Sequence, residues 1–134
     1  MSGAVAGLAE VVLWVRDMDR ALRFYQDLFG LQLISPPEVP NKFLKAGEGG
    51  HGVPEMIVLV QHPDGAAEFP REKAKRVLHH FAFRVEAAAY DELHERLTGA
   101  GIEVRSGVHP VLKGVRTFYV DDPDNNELEV IGPL

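Results

Sequence analysis

Hydrophobic and polar positions alternate along the stretch 77–85, just past the middle of the chain. Successive side chains of a strand point to opposite faces, so this alternation predicts a strand with one apolar face and one mixed face. The apolar face carries Phe81, Phe83 and Val85, and the mixed face carries His80, Ala82 and Arg84. An imidazole such as that of His80 can ligate a metal, move a proton or accept a hydrogen bond.

A second alternating stretch, 8–16, predicts a strand near the start of the chain. Its apolar face carries Val11, Leu13 and Val15, and its other face carries Glu10, Val12 and Trp14. Asp17 follows as a candidate helix cap, because its carboxylate can accept a bond from a free backbone N–H. Apolar residues recur every three or four positions over 18–29, which predicts an amphipathic helix that ends at Gly30.

The remaining pattern completes a sequence of elements that occurs twice. The first half continues with predicted strands over 31–34, 42–45 and 55–61, followed by a basic linker over 66–76. The second half has a predicted helix over 87–100 and strands near 102–105, 114–120 and 127–131. A shift of about seventy residues superimposes the halves and matches Glu10 with His80. The chain is therefore predicted to be α+β, a single domain over 1–134, with βαβββ modules in tandem at about 8–65 and 77–132.

Composition narrows the function classes. The 14 Lys and Arg residues against 20 Asp and Glu residues give a net charge of −6, which argues against a nucleic-acid partner. The absence of cysteine excludes disulfides and thiolate zinc sites. The first residues lack a basic segment and a long apolar one, and no apolar run is long enough for a membrane span. We expect a cytoplasmic protein with neither a membrane nor a nucleic-acid partner.

The mixed faces of three predicted strands share a pattern that is unusual for a solvent face. They combine apolar side chains with three carboxylates, an imidazole and a guanidinium: Glu10, Val12 and Trp14; His80, Ala82 and Arg84; Glu127, Glu129 and Ile131. Apolar walls with a few convergent polar groups are typical of a ligand cleft. Alternation places His79 on the core side, and Glu127 is expected at the rim of the cleft.

Three segments carry a family resemblance: 12–30, 80–85 and 118–129. In them the chain resembles the vicinal oxygen chelate superfamily, which includes glyoxalase I, extradiol dioxygenases, fosfomycin-resistance enzymes and bleomycin-resistance proteins. The resemblance implies that the modules form a cupped mixed β-sheet with helices on its outer face. It also implies a homodimer, because single-chain members commonly complete their clefts between subunits.

The resemblance further implies a metal site with Glu10, His80 and Glu129 as ligands. Many members have His or Gln where this chain has Glu10, and the fourth glyoxalase I ligand falls at about Val58 or Leu59, which are apolar. One imidazole and two carboxylates suit a divalent ion such as Zn, Ni, Mn or Fe. Trp14, Arg84 and Tyr119 are predicted to contact the substrate, with Arg84 suited to a carboxylate or phosphate.

Three functions follow as hypotheses. The first is a glyoxalase-like lyase or isomerase, in which the metal binds vicinal oxygens of a small substrate and Glu129 or Glu10 moves a proton. The second is an extradiol-type dioxygenase with Fe(II), although Glu10 departs from the two-histidine, one-carboxylate iron site. The third is a metal-free drug-binding protein of the bleomycin-resistance kind.

Overall fold

A computed structural model describes residues 3–134 and confirms the α+β class and the tandem βαβββ order. The first half contains β1 (Glu10–Val15), α1 (Met18–Leu22), β2 (Gln32–Leu33), β3 (Lys42–Gly50) and β4 (Val53–Gln61). The second half contains β5 (Phe81–Arg84), α2 (Ala87–Gly99), β6 (Arg105–Gly107), β7 (Val115–Asp121) and β8 (Glu127–Pro133). The halves correspond to two compact units, one ending at Ala67 and one spanning Glu68–Leu134. None of the helices in residues 3–134 is long and apolar enough to cross a membrane.

The first unit is a four-stranded sheet in the order β1-β4-β3-β2, in which β1 runs parallel to β4. Leu13 and Val15 of β1 are buried, as the alternation predicted. The carboxylate of Asp17 accepts a hydrogen bond from the backbone N–H of Arg20 at 3.2 Å, which confirms the predicted helix cap. The helix continues past α1 as a π-helical segment, Arg23–Leu28. Together the two segments bury Ala21, Phe24 and Tyr25.

The second unit repeats this arrangement with the strand order β5-β8-β7-β6, in which β5 runs parallel to β8. One face of the sheet packs against α2, where the Tyr90 ring lies 5.0 Å from the Phe118 ring. That face and α2 together form the core of the unit, whose fully buried members are Leu97, Phe118, Val120, Leu128 and Val130. The opposite face of β7 and β8 carries Glu127, Glu129, Thr117 and Tyr119.

Three strands depart from their predicted bounds by three or more residues. β3 runs through the glycine-rich stretch to Gly50, where it pairs with Val53, because the turn at His51 and Gly52 has positive φ angles of 56° and 77°. β5 begins at Phe81 and not at residue 77. β6 spans Arg105–Gly107 and lies later than the predicted 102–105.

The strand register identifies the position in the first unit that corresponds to Glu129. Val12 pairs with Val58 in one unit, and Ala82 pairs with Glu129 in the other. The shift of seventy that matches Glu10 with His80 also matches Val12 with Ala82, so Val58 is the counterpart of Glu129. Val58 is an apolar residue and is buried in the core of the first unit.

Candidate metal centre

His80 and Glu129 come together where β5 enters the sheet beside β8. The Nε2 atom of His80 lies 3.2 Å from Oε1 of Glu129. The His80 side chain is 31% exposed and the Glu129 side chain is 5% exposed. A carboxylate this deeply buried needs polar partners, because burial without them costs several kcal/mol by order of magnitude. The structure therefore joins two of the three predicted ligands.

The second oxygen of Glu129 is held by two hydroxyl groups on the neighbouring strand. Thr117 Oγ1 donates to Oε2 at 2.7 Å, and the Tyr119 hydroxyl donates to the same atom at 3.1 Å. Burial, together with the hydrogen bond to Glu129 and the charge of that carboxylate, raises the pKa of Tyr119 above 10.0. Both donors are neutral. Within the described residues 3–134, Glu129 pairs with no Lys or Arg, and its Oε1 faces His80.

Tyr119 reaches Glu129 because β6 has a glycine beside it. A Cβ atom added at Gly107 would lie 2.4 Å from Cε2 of the Tyr119 ring and 3.4 Å from Cγ2 of Thr117. Any side chain at this position would push the ring, so Gly107 makes room for both hydroxyl donors. The ring of Tyr119 also lies 5.8 Å from the ring of His80. The sequence pattern had indicated a site role for Tyr119, but it gave no indication of one for Gly107 or Thr117.

The prediction that His79 points toward the core is wrong. His79 is exposed, and its Nδ1 lies 2.7 Å from Nδ1 of His80. The alternation rule fails because β5 starts at Phe81, so residues 79 and 80 lie before the strand. His79 instead contacts the nitrogen of His80 that faces away from Glu129.

Glu127, predicted at the rim of the cleft, is held by two cationic side chains of the second unit. Its side chain is only 13% exposed; Oε1 pairs with Lys73, and Oε2 accepts from Arg105 at 3.2 Å. Burial alone would raise the pKa of Glu127, but these two cations more than offset it and the pKa is lowered. Lys73 belongs to a short 3-10 helix, Lys73–Lys75, so the predicted solvated linker is anchored to β8.

His79, His80 and Glu127 form a second possible ligand group, with atoms within 4.8 Å of one another. Both oxygens of Glu127 are already paired with Lys73 and Arg105. A cation placed there would have to displace two ion pairs and would be repelled by both side chains. Glu129, which has only hydroxyl donors on Oε2, is the better partner for His80.

The other predicted site residues lie on exposed faces. Glu10 and Trp14 share the exposed face of β1 in the first unit; Trp14 is 54% exposed, and its ring lies 5.1 Å from that of His62. Arg84 is exposed on β5 and pairs in register with Ile131, two residues beyond Glu129 on β8. Among residues 3–134, no hydrogen bond or ion pair engages the guanidinium of Arg84. It is free to receive an anionic group.

The donor atoms of His80 and Glu129 fit a divalent transition-metal ion. Two ligands about 2.1 Å from one ion, at tetrahedral or octahedral angles, lie roughly 3.0–3.4 Å apart. The observed separation of 3.2 Å falls within that range. A nitrogen and a carboxylate oxygen are also the donor types that such ions take.

A profile of the Glyoxalase/Bleomycin resistance protein/Dioxygenase superfamily matches residues 7–130. The chain belongs to this superfamily. The match covers both units, and it confirms the vicinal oxygen chelate resemblance found in the sequence.

Curated superfamily members align along most of the chain. The fosfomycin resistance protein FosX of Listeria monocytogenes is 23% identical over 126 residues, covering 94% of this chain and 89% of FosX. The metallothiol transferase FosB of Shouchella clausii is 28% identical, covering 94% and 80%. The lactoylglutathione lyase of Salmonella typhimurium is 29% identical, covering 92% and 90%.

Solved structures show the same superfamily fold. A glyoxalase/dioxygenase from Nostoc punctiforme superimposes with a TM-score of 0.78 at 20% identity, covering 100% of this chain and 95% of its own. A glutamine-for-glutamate mutant of Listeria monocytogenes FosX superimposes with a TM-score of 0.65 at 24% identity, covering 94% and 89%. That mutant was crystallised with Mn(II) and 1S,2S-dihydroxypropylphosphonic acid.

Proposed function

We propose that this protein is a divalent-metal-dependent enzyme that acts on a small substrate through two neighbouring oxygens, with glyoxalase-like lyase or isomerase chemistry. The observation that carries the proposal is the pairing of His80 Nε2 with Oε1 of the buried Glu129 at 3.2 Å. The lactoylglutathione lyase relative, aligned over nine-tenths of both chains, supports this reaction class.

His80 and Glu129 would hold the ion, with Glu10 as the third ligand on the basis of the family resemblance. A divalent ion held by three protein ligands keeps open positions and stabilises negative charge on a substrate oxygen. The hydroxyls of Thr117 and Tyr119 fix the orientation of Glu129.

The proton transfer is assigned to the two carboxylates, Glu129 and Glu10. Glu129 Oε2 already accepts two hydrogen bonds, so a substrate proton arriving there has to displace one of them. Glu10 is exposed at the first position of β1 and carries no such restriction. We therefore expect Glu10 to be the more effective base and Glu129 to act chiefly by holding the ion.

Substrate binding is assigned to Arg84, Tyr119 and Trp14. The free guanidinium of Arg84 suits a carboxylate, phosphate or phosphonate of the substrate. Ala82, opposite Glu129, and Arg84, opposite Ile131, lie on the same face of β5. An anionic group would therefore bind one strand repeat, about 7 Å, away from the oxygens that meet the ion.

Elemental analysis of the purified protein tests the metal site directly. Protein grown with added Zn, Ni, Mn and Fe should contain about one divalent ion per chain. His80→Ala and Glu129→Gln should lose it, whereas Glu103→Gln, at an exposed position, should retain it. Metal-free protein after growth with all four ions would overturn the proposal and favour the drug-binding alternative.

A chelator-controlled substrate screen tests the reaction class. Methylglyoxal with glutathione should give a thioester with the metal-loaded protein and not after chelation. Glu10→Gln should slow turnover while most of the metal is retained, because the Gln side chain keeps an oxygen that can ligate the ion but cannot act as the base. Ring cleavage of catechol by the Fe(II)-loaded protein in oxygen would instead establish the dioxygenase alternative.

Fosfomycin modification is a second candidate function. FosX and FosB are both among the relatives, and a phosphonate ligand is present in the solved FosX mutant. The free Arg84 supplies a cation for such a group. Loss of fosfomycin in the presence of Mn(II) and either water or a thiol would support this candidate, and Arg84→Met should raise its KM.

A further inference from the structure

The contact between His79 and His80 joins two Nδ1 atoms at 2.7 Å. Each neutral imidazole has one nitrogen that donates and one that accepts. A contact this short between two neutral rings is a hydrogen bond, so one Nδ1 carries the proton and the other accepts it. Which of the two Nδ1 atoms carries the proton depends on the partner of the other ring nitrogen of His80, Nε2.

Without a cation, Glu129 sets the direction of this bond. An ionised carboxylate only accepts hydrogen bonds, and its Oε1 lies 3.2 Å from His80 Nε2. Nε2 therefore carries the proton of a neutral His80, and Nδ1 of His80 is the acceptor. His79 must then donate from its own Nδ1.

With a cation on His80, the direction has to reverse. If His80 held an ion, it would do so through the lone pair of Nε2, so Nε2 would be unprotonated and the proton of the neutral ring would lie on Nδ1. Metal-bound histidines commonly donate this second N–H to a neighbouring acceptor, which fixes the ring. Here the only group at hydrogen-bond distance from Nδ1 of His80, within residues 3–134, is Nδ1 of His79.

We propose that His79 is a positioning residue for His80 that changes from hydrogen-bond donor to acceptor when a divalent cation binds. The inference rests on the proposed metal site. The protons balance: the proton on His79 Nδ1 passes to His80 Nδ1, the proton on His80 Nε2 leaves to water, and His79 Nε2 takes one from water. Both rings stay neutral throughout.

An imidazole suits this role because the same ring nitrogen can either donate or accept a hydrogen bond, depending on the tautomer. A backbone carbonyl only accepts and an ammonium group only donates, so neither could serve both states. His79 is exposed, which gives its far nitrogen access to water. The neighbouring Glu127 does not compete for the rings, because Lys73 and Arg105 occupy its oxygens.

Nitrogen-15 NMR of the histidine side chains tests the reversal without any activity assay. In the metal-free protein at a pH where both rings are neutral, His79 should be the Nδ1–H tautomer and His80 the Nε2–H tautomer. Zinc, which is diamagnetic, should convert His80 to Nδ1–H and His79 to Nε2–H. The same tautomers before and after zinc binding would overturn the inference.

Two substitutions separate positioning from a purely structural role. His79→Asn keeps an amide that can donate or accept at this position, and its zinc Kd should stay within about threefold of the unsubstituted protein. His79→Leu should weaken zinc binding by roughly 10- to 100-fold. Val77→Leu, at a fully exposed neighbouring position, should change nothing. Equal zinc affinity in the Asn and Leu variants would contradict the inference.

The failure of this inference can be distinguished from failure of the proposed function. If zinc does not bind even to the unsubstituted protein, the proposed function and the reversal both fall. If zinc binds and His80→Ala abolishes binding, but His79→Leu binds zinc normally, only the role of His79 is wrong. Urea unfolding of the His79 variants should match that of the unsubstituted protein, because His79 is exposed.

Discussion

Tyr119 and Glu129 are direct partners in the β7–β8 register, and the Tyr119 hydroxyl donates to Glu129 Oε2 at 3.1 Å. The pairing places a neutral donor against a buried charge, on the oxygen that faces away from His80. It ties the conformation of the carboxylate to the strand pairing itself. Substitutions on β7 should therefore affect the proposed metal site.

Removal of either hydroxyl donor should loosen Glu129. We expect Tyr119→Phe and Thr117→Val each to weaken metal binding by about 10-fold or more, since outer partners of ligands commonly contribute this much. Each should also lower the free energy of unfolding by about 1–3 kcal/mol, the range for hydrogen bonds to charged groups. Metal titration and urea unfolding measure the two effects. Unchanged metal affinity in both variants would contradict this role.

Gly107→Ala should disturb the same carboxylate indirectly. The added methyl group would lie 2.4 Å from the Tyr119 ring, so the ring or β6 has to move. Overpacking of this kind costs about 1–3 kcal/mol, and we expect weaker metal binding with it. Gly50→Ala is the matched control, because nothing lies within 4 Å of a Cβ atom there. Thermal unfolding and metal titration of the two variants should differ clearly.

Glu127 should stabilise the protein in a pH-dependent way. Its pKa is lowered below 4.5 in the folded state by Lys73 and Arg105, against the effect of burial. A depressed pKa contributes stability that is present above the unfolded-state pKa and lost as pH falls through the folded-state pKa. Glu127→Gln should therefore be less stable by about 1–3 kcal/mol at pH 7, and the difference should shrink below about pH 4.

Urea unfolding at a series of pH values measures this difference. Glu103→Gln, at an exposed position, serves as the control and should unfold like the unsubstituted protein at pH 7. A stability difference for Glu127→Gln that stays constant from pH 7 to pH 3 would show that charge pairing is not its source.

We expect the protein to form a homodimer. Val12 and Trp14 leave 51% and 54% of their surface exposed on one face of the edge strand β1, and exposed apolar side chains grouped in this way often mark an interaction surface. Light scattering should give twice the chain mass of 14.8 kDa. A monomer at all accessible concentrations would contradict the expectation.

The sequence was sufficient to predict the fold and to select His80 and Glu129, two side chains that the structure brings together. Alternation placed Glu129 on the face opposite Leu128 and Val130, and the internal repeat matched His80 to a strand start. These inferences hold because strand periodicity is local and is enforced by burial of one face. The core residues that enforce it, such as Leu128 and Val130, are fully buried.

The residues that surround His80 and Glu129 could not be predicted from the sequence, for physical reasons. His79 was misplaced because periodicity does not say where a strand begins. Lys73 pairs with Glu127, 54 residues away in the sequence, and a local sequence pattern cannot predict a contact between residues so far apart. Gly107 gave no signal, since its importance comes from the ring of Tyr119 on the adjacent strand.

The two hydroxyls on Glu129 Oε2 also limit how the carboxylate can bind an ion. With that oxygen committed to Thr117 and Tyr119, only Oε1 remains, so Glu129 would bind the proposed ion through a single oxygen. If His80 and Glu10 also supplied one atom each, about three positions of an octahedral ion would stay open to exchangeable groups. Two neighbouring oxygens of one substrate molecule could then bind side by side, with room left for a water molecule.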